Sequence, residues 1–403
     1  MAAPYNSCIQ AKSRWYQAMR STSVFTAASF SRSPDQAAAE LRQQLLHNEL
    51  EFVLFFCSAE YDLEQLASAL NREFGSIRLA GCTTAGEITP QGYGQGCISA
   101  IGFRAGRFAV AAAGVQKLDN VSLTDAQSMV DNLTSDCRKK EVAPIKGNSF
   151  ALTLFDGLSI QEEMVLVSLN AALGSIPSFG GSAGDDIHLT NTHVFFDGKF
   201  HTEAAVVLLF NTGCDFEVFS THHMLNSSEK LVVTAADPDG RCVLELNAEP
   251  AALEYARAIG LKLEDLNHEV FALNPIAVKL GDEYFVRSIQ QVNDDLSLTF
   301  YCAVERGIVL TVMEPGPIIP NLEKELAGIK EEVGEPQIII GCDCFFRRLE
   351  IELSGIRDEV SEILRRNKVV GFNTYGEQNA GMHVNQTFTG VAIGQCPQGD
   401  GHE

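Results

Sequence analysis

Residues 81–88 read GCTTAGEI and residues 371–378 read GFNTYGEQ, so the pattern G-x-x-T-x-G-E occurs twice in the chain. An apolar run carrying a cysteine precedes each copy, and a second apolar run follows after a polar loop. These flanking runs are residues 52–57 and 97–103 for the first copy, and 338–342 and 387–394 for the second. Repetition of one supersecondary unit predicts two related halves. A glycine-flanked Thr and Glu at a strand end indicates a tight corner or the wall of a shared pocket.

Strands and helices alternate in the first part of the chain. Residues 23–30 predict a first strand, and Ser33-Pro34 predicts a helix start, with serine as the cap and proline at the first helical position. Residues 52–57 form a continuous apolar run, as expected for a strand buried on both faces. A leucine stripe then predicts a second helix that ends at Gly75. This rhythm predicts a mixed α/β fold with mixed β-sheets flanked by helices and an internal pseudo-repeat.

The same signals divide the chain into an N-terminal arm at residues 1–22, a first domain at 23–220 and a second domain at 221–403. The second domain is expected to open with strands and a helix at 250–259. Between its apolar run and its G-x-x-T-x-G-E copy, one apolar stripe predicts a single helix. That stripe consists of Leu349, Leu353, Ile356, Val360 and Ile363.

Composition excludes several classes of partner. The chain has 403 residues, 45% of them hydrophobic, and its 30 basic and 52 acidic residues give a net charge of −22. Such an acidic protein is not expected to bind nucleic acid or an anionic membrane. No apolar run reaches the roughly 18–20 residues of a membrane helix, and no signal-peptide core is evident, so a cytoplasmic location is expected. The eleven cysteines are expected to be reduced and mostly buried.

A glycine-rich loop, FGGSAGDD at residues 179–186, follows another predicted strand and helix. Ser159 and Glu162 predict a capping box, and Ile160, Met164, Val167 and Ala171 fall at helical spacing. The loop is either a flexible connection or a ligand-lining segment whose amides and carboxylates face the ligand. Its spacing fits neither a Walker loop nor a dinucleotide fingerprint, so a nucleotide site is not expected.

Together these motifs resemble the FIST family of sensory-domain proteins, which have paired N- and C-terminal FIST halves. The resemblance rests on residues 81–88, 155–157, 180–186 and 371–378. A narrower resemblance, to the haem-containing nitric-oxide-sensing branch (NosP), rests on residues 221–223, 232–237 and 376–387. It implies a cytoplasmic protein with non-covalent haem b that binds nitric oxide. Such a protein regulates a separate histidine kinase or a cyclic-di-GMP enzyme, either a diguanylate cyclase or a phosphodiesterase. The chain shows no kinase, receiver or cyclase motif of its own, so its output would need such a partner.

Haem without covalent attachment needs an axial side chain on an apolar wall. His222 and His223 are adjacent in a strand-like stretch, so they should point to opposite faces, and at most one should reach a pocket. His383 follows the second glycine corner and is the third candidate iron ligand. As alternatives, the histidine pair forms a solvated strand edge and His383 holds its loop by a hydrogen bond. His188 and His193 are weaker candidates, and His47 and His402 are expected to be exposed.

Carboxylates and an aromatic residue beside the glycine turns are candidates for lining a ligand pocket. They are Glu87, Asp185, Asp186, Tyr375 and Glu377. Cys342 and Cys344 share one face of a strand and are expected to be core residues, with thiolate chemistry as the alternative. Arg347 and Arg348 could supply a positive field, pair with haem propionates or pair with surface carboxylates. Catalytic triads, a nucleophile elbow and metal-ligand spacing are missing, so no enzymatic activity is expected.

Three function hypotheses follow. The first is a haem-based nitric oxide sensor that controls a partner kinase, in which ligand binding shifts a two-state equilibrium. The second is a metal-free FIST sensor of a small metabolite such as an amino acid. The third is a protein-interaction scaffold. A homodimer is compatible with each of them.

Overall fold

A computed structural model of the chain describes residues 22–45 and 49–397. Most of the predicted N-terminal arm, residues 1–21, lies outside the described residues, and so do His47 and His402. None of the described helices is long and apolar enough to cross a membrane.

The first structural unit follows the predicted α/β rhythm. Asp62 caps its second helix by accepting a hydrogen bond from the amide of Gln65, and Gly75 ends that helix with a φ of +59°. The elements are β1 (Val24–Ser29), α1 (Pro34–Leu45), β2 (Leu50–Ser58), α2 (Leu63–Phe74), β3 (Arg78–Thr84), β4 (Glu87–Thr89), β5 (Gly92–Gly94) and β6 (Ile98–Arg104). The predicted first strand and the predicted helix start at Pro34 are therefore confirmed.

The second unit repeats this order of elements. They are β7 (Phe108–Gln116), α3 (Leu123–Arg138), β8 (Ser149–Phe155), α4 (Glu162–Leu173), β9 (Ser178–Ser182), β10 (Val194–Phe196), β11 (Lys199–His201) and β12 (Ala204–Thr212). The predicted capping box at Ser159 is wrong, because α4 begins at Glu162 and no side chain caps it. The Glu162 carboxylate accepts hydrogen bonds from Ser182 and Gln378 instead.

The third unit starts with β13 (Phe216–Thr221), and an inserted region then separates this strand from the rest of the unit. The insert contains β14 (Met224–Asp237), β15 (Cys242–Leu246), β16 (Glu249–Pro250), α5 (Ala251–Ala258), α6 (His268–Leu273), β17 (Ile276–Leu280), β18 (Glu283–Arg287), β19 (Ile289–Val292), β20 (Leu298–Phe300) and β21 (Val309–Pro315). The unit resumes with α7 (Ile318–Val333), β22 (Ile338–Cys344), α8 (Phe345–Leu353), α9 (Arg357–Arg366), β23 (Val369–Thr374), β24 (Glu377–Asn379), β25 (Met382–Val384) and β26 (Phe388–Ile393).

Each unit builds a sheet and gives a hairpin to another unit. The strand orders are β1-β6-β2-β3-β10-β11 in the first sheet, β7-β12-β8-β9-β24-β25 in the second and β13-β26-β22-β23-β4-β5 in the third. In each sheet the third and fourth strands are parallel and the remaining neighbours are antiparallel. The strands of the insert form a fourth sheet. The predicted mixed α/β fold is confirmed, and the structure adds a third copy of the repeating unit.

The three parallel strand pairs end at one central ring, which comprises residues 83–85, 182–184 and 373–375. Backbone bonds close this ring in a cycle: Ala85 N to Asn373 O (2.9 Å), Tyr375 N to Ser182 O (3.2 Å) and Gly184 N to Thr83 O (3.1 Å). The chain leaves the ring through three corners. The first corner is residues 84–87, the second is 374–377 and the third is 183–194.

One hydrophobic core lies between the three sheets. Phe56 of the first unit stacks on Phe372 of the third with ring centroids 4.5 Å apart, and Phe103 meets Phe210 of the second at 4.9 Å. Full burial of a phenylalanine side chain stabilises a fold by roughly 1.5–3 kcal/mol. Because these contacts join different units, the hydrophobic core holds the three units together.

Two local predictions differ from the structure, and a third stays untested. The single helix expected between residues 349 and 363 is two helices, since Gly355 adopts a φ of +69° between α8 and α9. Cys214 and Cys396 form a disulfide, so the expectation that every thiol is reduced is wrong for this pair. The domain boundary expected at residues 220 and 221 falls at the end of β13, and this division of the chain stays a prediction.

Candidate functional site

Glu87 and Glu377 are structural residues of the first two corners. Thr84 donates to Glu87 across 2.6 Å, and the amide of Cys97 donates to the other carboxylate oxygen at 3.2 Å. Thr374 donates in the same way to Glu377, which also accepts from the amide of Thr387 at 3.1 Å. Burial raises the pKa of Glu87, and it raises the pKa of Glu377 to about 8.

Asp185 organises the third corner. Its carboxylate accepts hydrogen bonds from the amides of Leu189, Thr190 and Asn191 at 2.8–2.9 Å and from the hydroxyl of Tyr375. Burial opposes the charged form, but these bonds prevail and lower the pKa of Asp185. This carboxylate therefore holds its own loop and links it to the second corner.

Asp186 and Arg348 lie beside that loop. An Arg348 nitrogen is 3.9 Å from the Asp186 carboxylate, and the guanidinium also donates to the carbonyl of Ala85 and to Glu352. Burial raises the pKa of Asp186, against the effect of Arg348. The five carboxyl and tyrosyl candidates thus surround the central ring and do not line the cavity described below.

A buried polar network surrounds His223. Its Nε2 lies 2.8 Å from the Glu350 carboxylate, and Arg347 donates to its Nδ1 at 2.7 Å. Arg347 also donates to Asp343 at 2.8 Å, and Asn373 of the central ring donates to the same carboxylate at 3.2 Å. Burial lowers the pKa of His223, although Glu350 opposes this. Since both ring nitrogens are engaged, His223 suits a structural role better than iron ligation.

His222 has different surroundings, although it and His223 lie in the connection between β13 and β14 and not in a strand as predicted. It is half-buried, and its Nδ1 is buried with no hydrogen-bond partner among the described residues. Burial and the charge of Arg347 lower its pKa, whereas Glu283 and Glu325 oppose this. The ring lines a cavity of about 430 Å³, which we call the insert cavity.

The insert cavity lies where the fourth sheet meets the third unit and the hairpin β24–β25. Its lining residues are Ser220, Thr221, His222, Asp282, Glu283, Tyr284, Phe285, Val286, Glu325, Asn379, Val384, Asn385 and Thr387. Asn385 is fully buried, and its Oδ1 accepts from the amide of Ser288 while its Nδ2 has no partner in the described part of the chain. The cavity is therefore lined by an imidazole and an amide, each with a buried nitrogen that has no partner among the described residues, and by several carboxylates.

His383 occupies a third environment. Its Nδ1 lies 3.5 Å from Glu163 and 3.8 Å from Glu162, and its Nε2 fills the space over Gly376. Although burial opposes the charged form, His383 and Arg241 lower the pKa of Glu163 well below its usual range. Both ring nitrogens are buried without a hydrogen-bond partner among the described residues, and the carbonyl of His383 accepts a hydrogen bond from Arg287. This enclosure suits a structural role.

The remaining candidates lie elsewhere. His188 is exposed, and His193 is half-buried in a cleft beside Phe200. Cys342 and Cys344 are buried on β22, where burial raises the pKa of both thiols, so they have the character of core residues. No cluster of metal-ligating side chains is found among the described residues.

Sequence reasoning missed Asn385, Tyr284 and the cavity carboxylates. Asn385 lies within residues 376–387, the stretch that contains His383, so its place beside the second glycine corner was the available signal. Asp282 and Glu283 had none, because only the fold of the insert brings them to His222.

Two family models match successive parts of the chain. Residues 51–249 match the family model of the FIST N domain, and residues 251–380 match that of the FIST C domain. The chain therefore belongs to the FIST-domain family, whose domains belong to signal-transduction sensors. No curated protein matches the chain.

Proposed function

We propose that this protein is a haem-based nitric oxide sensor whose non-covalent haem b lies in the insert cavity, with His222 as the iron ligand. The observation that carries the proposal is the buried Nδ1 of His222, which has no hydrogen-bond partner among the described residues. Of the three histidines that the sequence offers, His222 is the one that lines a cavity. The output would pass to a separate sensor histidine kinase or cyclic-di-GMP enzyme.

The donor set of the cavity fits iron, since an unengaged imidazole nitrogen is a common axial ligand of haem. Tyr284, Phe285 and Val286 offer apolar contact beside it. When bound, haem supplies the iron that coordinates nitric oxide. The exposed carboxylates of Asp282 and Glu283 would repel the anionic propionates of haem and would not hold them.

Hydrogen bonds of the neighbouring residue, His223, connect the position of His222 to the central ring. The next residue, His223, is anchored to Glu350 and Arg347, and Arg347 reaches the central ring through Asp343. A displacement of His222 would therefore also displace His223 and disturb its hydrogen bonds. In a buried polar network of this kind, unpaired groups are costly. A ligand that binds two arrangements of this network unequally shifts their populations, and a partner can read that shift.

Absorption spectroscopy tests the proposal. Protein expressed with a haem precursor is expected to show a Soret band that shifts on reduction and on addition of nitric oxide. His222→Ala should lose this band or change it, and added imidazole should restore it. His201→Ala is the matched control, because His201 lies on β11 away from the cavity. A colourless protein that takes up no haemin, or a His222→Ala variant with an unchanged spectrum, would refute the assignment.

A second candidate function rests on the charges of the cavity. The carboxylates of Asp282, Glu283 and Glu325 favour a cationic group, and the open amide of Asn385 favours a carbonyl or carboxylate. That pairing suits a zwitterion such as an amino acid, bound without metal. We expect amino acids to raise the melting temperature of colourless protein by mass action, and Glu325→Gln to reduce this effect. Melting temperatures that do not respond to any amino acid would rule this candidate out.

A further inference from the structure

Helix α4 is apolar on two sides, which is unusual for a helix at a protein surface. Its inner side, with Val165, Leu166, Leu169 and Leu173, is buried. Its outer side carries Met164, which is 71% exposed, and Val167, which is 64% exposed. Ile160 is 53% exposed just before the helix. Single exposed apolar residues are ordinary, but a continuous exposed row is typical of an interaction surface.

The exposed residues have the spacing of a helix–helix contact. Within α4, Met164, Val167 and Ala171 follow one another at steps of three and four residues, and Ile160 lies just before the helix. That spacing places the three helical residues along one line on the surface of the helix. We call this row the α4 seam. No charged residue occurs from Met164 to Leu173, although the chain carries a net charge of −22.

The α4 seam is complementary to itself. Its N-terminal half carries the large Met164, and its C-terminal half carries the small Ala171. In an antiparallel pair related by a twofold axis between Val167 and Ser168, Met164 would face Ala171. Large residues then meet small ones, as close packing requires. An isologous contact of this kind also brings no like charges together, which matters for two strongly acidic chains.

We propose that the α4 seam is the interface of a homodimer of this chain. A stable interface buries roughly 800 Å² per partner, more than one helix row provides. The surface continues onto β25, which packs along α4: Gly381 lies against Asn170, and Met382 is 38% exposed. The occupant of this surface is therefore a second copy of α4 and β25.

The same strand connects the interface to the insert cavity. Val384 of β25 lines the cavity, and His383 contacts Glu163 in the first turn of α4. A ligand that moves β25 would change the interface, and dimer formation would change ligand affinity by the same factor. This coupling rests on the proposed function, whereas the homodimer itself does not.

Analytical ultracentrifugation of the full chain without added ligand tests the homodimer. We expect a concentration-dependent dimer, and we expect Met164→Glu and Val167→Glu each to raise the dimer dissociation constant at least about thirtyfold, as loss of a central contact does. Leu123→Glu is the matched control, because Leu123 is 57% exposed on another helix, α3. This variant should dimerise like the wild type, and circular dichroism should show all variants folded.

Cross-linking tests the antiparallel geometry. Val167→Cys lies beside the twofold axis, so mild oxidation with diamide should link two copies through one disulfide while the diamide is reduced. Leu123→Cys should not cross-link. A wild-type chain that is monomeric at all concentrations, a dimer that survives Met164→Glu, or equal cross-linking of both cysteine variants would overturn the proposal. None of these results depends on haem or on any other ligand.

Discussion

The first and second corners of the central ring differ from the third in how they reach the same backbone arrangement. In the first two, a threonine and a glutamate bond across a turn in which two residues separate them. In the third corner, Ala183 and Val194 stand in these places and a long loop separates them, held by Asp185. The backbone bonds of the ring are nevertheless equivalent in all three units.

This comparison shows that the ring geometry is the invariant feature and that the side chains which support it can change. A short turn leaves a buried carboxylate close to its threonine. In the long loop, several amides stabilise the charged form of Asp185, and the hydroxyl of Tyr375 from the second corner also donates to this carboxylate. The third corner therefore has more contacts with the rest of the molecule but a larger loop to order.

The shared feature of the three units is a glycine, and its replacement should have the largest effect. Gly81, Gly180 and Gly371 lie at equivalent positions, and a Cβ at each would overlap the carbonyl oxygen of the paired residue on the neighbouring strand. Because that oxygen belongs to a paired backbone, it cannot move aside. We expect Gly371→Ala to lower the free energy of unfolding by about 4 kcal/mol, measured by urea denaturation.

Gly328→Ala is the control for this prediction. Gly328 lies inside α7 with open space around it, so alanine there should stabilise the protein by about 0.5–1 kcal/mol. If Gly81→Ala and Gly180→Ala lower the free energy of unfolding by as much as Gly371→Ala, this would support the equivalence of the three units. A tolerated alanine at Gly180 alone would show that the third unit does not share the constraint.

The sequence predicted the short corners because their signal is local. The two G-x-x-T-x-G-E copies are turns with adjacent strands, as expected. The third copy was hidden, since residues 180–184 lack the Thr and Glu and a long loop follows them. The exchange of hairpins was also hidden, because a turn does not specify which sheet the next strand joins. The same limit applies to the insert cavity, whose walls come from segments far apart in sequence, such as Tyr284 and His222.

The stability contributed by the two short corners should depend on pH in the same direction. Burial raises the pKa of Glu377 to about 8 and raises that of Glu87 as well. A carboxyl group whose pKa is raised on folding makes its full contribution to stability below its unfolded pKa, near 4.5. That contribution is lost as the pH rises through its folded pKa. Glu377→Gln resembles the protonated form. We expect it to be nearly neutral at pH 5 and to stabilise the protein by on the order of 2 kcal/mol at pH 8, relative to wild type.

Urea denaturation between pH 5 and 9 measures this difference, and Glu87→Gln is the matched variant in the equivalent corner. If the stability of both variants relative to wild type rises with pH, this would support a common role for the two carboxylates. A Glu377→Gln variant whose relative stability falls with pH would mean that the charged form is the favoured one, and the assignment of Glu377 as a buried neutral acid would be wrong.

The link between the second and third corners should have the smallest effect on global stability, because Asp185 keeps its amide partners when Tyr375 is changed. Tyr375→Phe removes the hydroxyl that donates to Asp185 and lies 2.8 Å from the carbonyl of Asp186. We expect a loss of about 1 kcal/mol, together with faster hydrogen exchange at the amides of residues 185–191. Tyr301→Phe is the control, since its buried hydroxyl has no partner among the described residues and its removal should cost nothing. If hydrogen exchange at residues 185–191 were unchanged in Tyr375→Phe, the bonds from the loop amides to Asp185 would be enough to order the loop. The third corner would then not depend on its contact with the second.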